Sequence, residues 1–184
     1  MYFKKMLGKK CYLSPIDVDD YAQFTEWFND LETTQYLSAG PMPVSVNSEK
    51  EFLQELVKTH CYSIIDLEKN VLIGNCGLVD IDNINQTAEI GIFIGIKEYL
   101  NKGFGSEAMS LLIDYSFKML NIRNIMLRVY SYNERAINCY TKVGFKKIGN
   151  RRNSINRNLN SYDIIYMDML PDDFYKTNMS GNSK

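Results

Sequence analysis

The chain has 184 residues, 45% hydrophobic and 23% charged, with a net charge of −1. That length suits one domain with a sizeable core, and the balanced charge argues against a protein built to bind nucleic acid or an anionic membrane surface. No apolar run approaches a membrane span, and four scattered cysteines with a single histidine (His60) speak for reduced cytosolic thiols and against a zinc site.

In chain order, the apolar part of Met1–Leu7 is too short for a signal peptide, and residues 1–8 read as a loose leader. Lys9–Leu13 can form an edge strand, ended by Ser14-Pro15. Asp17, Asp19 and Asp20 then favour a helix start. Tyr21, Phe24, Trp27, Phe28 and Leu31 recur at helical spacing and predict an apolar stripe. After the loop Gly40-Pro41-Met42-Pro43, Ser48 can cap a helix to about Thr59 with Phe52, Leu53, Leu56 and Val57 inward. Cys61–Leu67 and Val71–Asp80 predict a hairpin around Glu68-Lys69-Asn70, and Asp82–Asn85 a second turn.

The run from Thr87 to Ile96 is β-branched and aromatic, so it predicts a buried strand. Leu100-Asn101-Lys102-Gly103-Phe104-Gly105-Ser106 then forms a turn with two glycines, and apolar residues at helical spacing run on to about Leu120. Strand, glycine turn and helix make an anion site, because backbone N–H groups stand uncovered at the positive end of a helix. A plain strand-to-helix turn would give the same pattern. A P-loop needs Gly-Lys-Ser/Thr, and a dinucleotide fingerprint needs a third glycine near 108; neither is present. Lys102-Gly103-Phe104-Gly105 starts like an RNA-recognition strand but continues as a helix.

Ile125–Tyr130 predicts the next strand, paired in parallel through the helical crossover. Asn133-Glu134-Arg135-Ala136-Ile137-Asn138-Cys139-Tyr140-Thr141-Lys142-Val143-Gly144-Phe145 follows as a short helix with a glycine cap. Strands near 145–152 and 161–169 flank a polar loop, Asn153–Asn160. Pro171 stops the last strand, and the Ser/Asn/Gly-rich end predicts a flexible tail. No repeat or linker divides the chain.

Gly-x-Gly opening a helix, followed by Asn-x-x-Ala-x-x-x-Tyr-x-x-x-Gly-Phe, resembles the GCN5-related N-acetyltransferase (GNAT) superfamily. Glu107-Ala108 and Trp27-Phe28-Asn29-Asp30 resemble its ribosomal-protein and spermidine acetyltransferase branches. The resemblance implies an α+β fold, a mostly antiparallel central sheet flanked by helices. It divides the chain into the leader, one N-acetyltransferase domain over 9–170 and a tail over 171–184. It also implies acetyl-CoA as cosubstrate, without a metal. Ile92, Phe93 and Ile94 would offer backbone groups to the pantetheine arm. Leu100, Asn101, Lys102, Gly103, Phe104, Gly105 and Ser106 would hold the pyrophosphate.

By the same resemblance, Asn133 would hydrogen-bond the coenzyme arm, and Tyr140, two turns on and on the same helix face, would also touch the coenzyme and protonate the leaving thiolate. As plain structure, Asn133 is an N-cap and Tyr140 a buried aromatic. Glu89 resembles the family's base; an ordered water, or a mere strand-face charge, are the other readings. Trp27, Glu26, Asp30 and Glu32 lie where the family walls its acceptor cleft. The expected reaction is acetyl transfer to a primary amine, a protein or peptide N-terminus first and a polyamine or other small amine second. A non-catalytic acyl-CoA-binding module is the reading from another class. The expected setting is cytoplasmic, with no nucleic acid or membrane partner; a homodimer stays open.

Overall fold

The computed structural model describes residues 1–38 and 40–181. The expected mixed sheet forms, with hydrogen-bonded neighbours in the order β1-β2-β3-β4-β5-β6-β8-β7. The chain clusters into two compact units: Met1–Leu78 with Ile92–Leu111, and Val79–Gly91 with the chain from Leu112 onward.

In the first unit, β1 (Met6–Leu7) pairs with β2 (Cys11–Pro15), β2 with β3 (Cys61–Asp66), and β3 with β4 (Leu72–Asp82), all antiparallel. Every residue of β3 is buried, as a central strand requires. The β3–β4 turn is held by Asp66, whose carboxylate accepts from the N–H groups of Glu68 and Lys69 at 2.8 and 3.0 Å. The expected loose leader is instead tied down: Met6 pairs with Leu13, and the Tyr2 hydroxyl donates to Asp20 at 2.9 Å. Backbone pairing and a buried Met6 supply anchors that composition did not reveal.

A 3₁₀ turn (Val18–Asp20) leads into α1 (Tyr21–Asn29), followed by the short α2 (Leu31–Thr34). Phe24 and Trp27 of α1 enter a core with Tyr12, Leu53, Ile65 and Phe93. Leu31, read as part of that stripe, is exposed, because α1 ends at Asn29 and the chain turns before it. The next helix, α3 (Val46–Leu56), begins earlier than expected. Ser45 is its N-cap and Ser48 the reciprocal partner in a capping box. Its buried face carries Leu53 and Glu49, while Phe52 and Val57 are exposed, so the helix is rotated from the expected face.

In the second unit, β5 (Thr87–Ile94) contributes Thr87, Ala88 and Glu89 to a parallel ladder with β6 (Asn124–Tyr130). β8 (Asn160–Met169) is antiparallel to both β6 and β7 (Lys146–Arg157). The expected loop 153–160 is strand for most of its length: pairing shifts register between Arg151 and Ile155, then continues to a two-residue turn at Asn158-Leu159. Both turn residues have positive φ, 50° and 63°, the geometry that matches strand twist. The expected tail is corrected too. Residues Pro171–Gly181 form α6, anchored by buried Phe174, whose ring meets Phe117 at 6.0 Å. Residues 182–184 of that tail lie outside the described residues.

α4 (Phe104–Met119) runs through both units, and α5 (Glu134–Val143) belongs to the second. Among the described residues no helix is long and apolar enough to cross a membrane.

Candidate active site

The first unit holds the glycine turn. A 3₁₀ turn over Lys97–Tyr99 ends β5's continuation, and Asn101 and Gly103 take φ of +60° and +87°. Gly103 therefore belongs to the backbone turn itself, since side chains rarely adopt that conformation. Gly105 is different. It lies inside the first turn of α4, and an added Cβ would meet only Ile92 Cδ1, at an ordinary 3.7 Å. Protein packing thus does not demand glycine at 105, whereas a ligand lying on the backbone would. The first α4 bond runs from the Glu107 N–H to the Gly103 carbonyl at 3.0 Å, so Phe104 and Gly105 precede the helix's own hydrogen bonding. The residues fit a phosphate-bearing group.

Of the strand residues expected to face the coenzyme arm, Phe93 is buried, with Ile92 and Ile94 half-buried on either side. Leu100 donates its N–H to the Lys97 carbonyl at 3.0 Å, and the Ser106 carbonyl accepts from the Ser110 hydroxyl at 2.9 Å. Lys102 contributes its carbonyl to an ion, the Lys10 ammonium, at 2.7 Å.

The acceptor-wall residues read differently in three dimensions. Trp27 is only 6% exposed and packs edge-on to Phe24 and Phe93, so it is a core residue. Lys97 bridges Asp30 and Glu32 at 3.1 and 2.8 Å. A hydrogen bond from the Thr33 hydroxyl, and then the Lys97 ammonium, hold the Asp30 carboxyl down to about 2. Glu26 accepts from the Gln23 amide at 3.2 Å.

The second unit holds the proposed acid and base. Asn133 caps α5: its side-chain oxygen accepts from the Ala136 N–H at 3.2 Å, which leaves its NH₂ group as a donor. Tyr140 is half-buried and meets Phe145 edge-on at 6.1 Å. Burial pushes its phenol well above the ordinary tyrosine range, with the Cys139 thiol adding and Arg135 opposing. Gly144 closes the helix with φ +119°. Glu89 is half-buried, and its carboxylate accepts from Arg128 Nε–H at 2.8 Å; their side chains are 13% and 50% exposed. Arg128 was legible as the one charge in the apolar run Ile125–Tyr130. His60 is half-buried, its carbonyl bonded to the Leu78 N–H at 3.0 Å.

A glycine turn opens α4 in the first unit, and an asparagine-capped helix carries Tyr140 in the second. The chain belongs to the GNAT acetyltransferase family: the acetyltransferase (GNAT) domain matches residues 10–146. It is an N-acetyltransferase. An uncharacterised N-acetyltransferase, p20 of Bacillus licheniformis, is 31% identical over 81% of this chain and 83% of its own length. The spermidine N(1)-acetyltransferase of Vibrio cholerae is 35% identical over 53% of this chain and 59% of its own. A structure of that Vibrio enzyme with CoA and spermine covers 91% of this chain and 99% of its own, with a TM-score of 0.81 at 24% identity. RimL, a ribosomal L7/L12 α-N-protein acetyltransferase solved with coenzyme A, covers 90% and 96% with a TM-score of 0.80 at 16% identity. At those identities the two structures speak for the fold.

Proposed function

We propose that this N-acetyltransferase carries an acetyl group from acetyl-CoA to the primary amine of a protein or peptide N-terminus, as one domain spanning residues 9–170. The observation that carries the acceptor choice is Lys97. Asp30 and Glu32, the carboxylates best placed in sequence to attract a polycation, already share its ammonium. An intramolecular cation at that position competes with a polyamine and weakens the electrostatic draw on it.

The residues take the roles their chemistry suits. The turn from Leu100 to Ser106 holds the pyrophosphate through backbone N–H groups, with Lys102 adding charge. The backbone of Ile92–Ile94 and the free donor of Asn133 hold the pantetheine amides. When bound, the coenzyme supplies an activated thioester. Glu89, turned by Arg128 through one oxygen, takes the proton the attacking amine must lose, directly or through a water. Tyr140 keeps its proton at neutral pH because burial disfavours the phenolate, and gives it to the departing thiolate. The carbon–nitrogen bond forms as the carbon–sulfur bond breaks. Free cysteines throughout fit a cytosolic setting, where acetyl-CoA is available.

A second reading, acetylation of a polyamine, is favoured by the spermidine acetyltransferase among the relatives. Release of CoA thiol with an acceptor panel tests both. Turnover with Ser- or Ala-initiated peptides and none with spermidine or spermine is the expected result. The reverse result replaces the peptide reading with the polyamine one, and no release with any amine leaves a coenzyme-binding module.

A further inference from the structure

A clamp reaches the glycine turn from the opposite end of the chain. The turn before β2 places Lys10 against residues more than 90 positions away. Its ammonium donates to the Lys102 carbonyl at 2.7 Å and lies 6.0 Å from the centroid of the Phe104 ring. The same ammonium stands 3.4 Å from where a Cβ on Gly103 would be. In return, the first turn of α4 reaches back. The Glu107 carboxylate accepts from the Lys10 N–H at 2.7 Å and from the Cys11 N–H at 3.2 Å. The segment Lys10–Cys11 therefore grips the turn on both sides of its glycines, at 102 and at 107.

The geometry points to Lys10 as a positioning residue for the coenzyme, acting by orienting the Lys102–Gly103 peptide. The two poles of a trans peptide point in opposite directions. Holding the Lys102 carbonyl from one side turns the Gly103 N–H to the other, where it can meet a phosphate oxygen. Without that hold, a peptide next to a positive-φ glycine has little else to fix its orientation, since glycine permits many. Glu107 contributes by fixing the main chain of Lys10, so that the ammonium need only settle over Phe104 to find its acceptor. The clamp thus orders the turn before any ligand arrives, which lowers the ordering cost of binding.

This inference rests on the coenzyme reading above, and the test separates the two. Acetyl-CoA and 3′-dephospho-acetyl-CoA are titrated against the full-length protein and its Lys10→Met and Lys10→Arg variants. Lys10 is exposed, so both variants should fold with unchanged melting temperature. For Lys10→Met the expected loss is about tenfold in affinity, the size of one charge-assisted hydrogen bond. It should be equal for both coenzymes, with the acceptor KM unmoved and much of the loss recovered by Lys10→Arg. Unaltered affinity in Lys10→Met overturns the inference while leaving the coenzyme reading intact. A loss confined to the 3′-phosphorylated form also overturns it, by making Lys10 a direct phosphate ligand. If the unmodified protein binds neither coenzyme, the coenzyme reading itself falls and the clamp's role with it.

Discussion

At the scale of single residues, the proposed site rests on the proton of Tyr140 and on the absence of a side chain at Gly105. Tyr140 keeps its ring contact with Phe145 when its hydroxyl is removed, so Tyr140→Phe should fold normally. If it delivers the proton to the thiolate, kcat should fall by about 10²–10⁴ with little change in acetyl-CoA affinity, read by steady-state kinetics beside a binding titration. Gly105 gives the cleaner test of the turn. Its helical position tolerates a side chain, and glycine there costs helix stability, so Gly105→Val should leave the melting temperature unchanged or raised. If the phosphates lie on this turn as proposed, affinity for acetyl-CoA should nonetheless drop sharply in calorimetry, because the added methyls would occupy that face. The structural places of the glycines, Asn133 and Tyr140 were legible in the sequence because each has a local signature. Lys10 was not: its partners lie 92 and 97 residues away, and no spacing rule connects them.

At the scale of elements, the buried face of α3 differs from the one its apolar spacing predicts, and packing is the reason. Phe52, Leu53, Leu56 and Val57 form a plausible apolar face, yet packing against α1 selects the one bearing Glu49 and Leu53. Glu49 is 4% exposed, and among the described residues its Oε1 has no hydrogen-bond partner. Burial pushes its carboxyl from 4.5 up to about 7. The folded state therefore binds this proton more tightly than the unfolded chain. Its stabilising share is complete below about 4.5 and is lost as pH rises through about 7. Glu49→Gln should flatten the pH dependence of the melting temperature across that window and raise it at pH 8. The β7–β8 hairpin was hidden for another reason: polar residues on an edge ladder leave no alternation to read. Its turn carries strain, because Leu159 is fully exposed yet held at φ 63°. Leu159→Gly should stabilise the fold by roughly 1 kcal/mol in denaturant titration.

At the scale of the whole chain, sequence neighbours pair through most of the sheet, which is why short turns disclosed its connectivity. The exception is β8, which pairs with β6 ahead of β7. No turn specifies which strand of a hairpin docks. The choice follows composition: β8 brings Ile164, Ile165, Met167 and Met169, while β7 is almost wholly polar. The placement of the four thiols has a consequence for kinetics. Cys11, Cys61 and Cys76 are buried in the first unit, and Cys139, half-buried, lies in the second. Burial pushes Cys11 up to about 12, Cys61 up to about 11 and Cys76 well above its ordinary value. A disulfide reagent should modify Cys139 in a fast phase and the other three only as the first unit opens. If that unit's turn holds acetyl-CoA as proposed, the coenzyme should slow the later phase in proportion to its occupancy. Labelling traces, resolved by peptide mass, would then serve as a stopwatch for each half of the molecule.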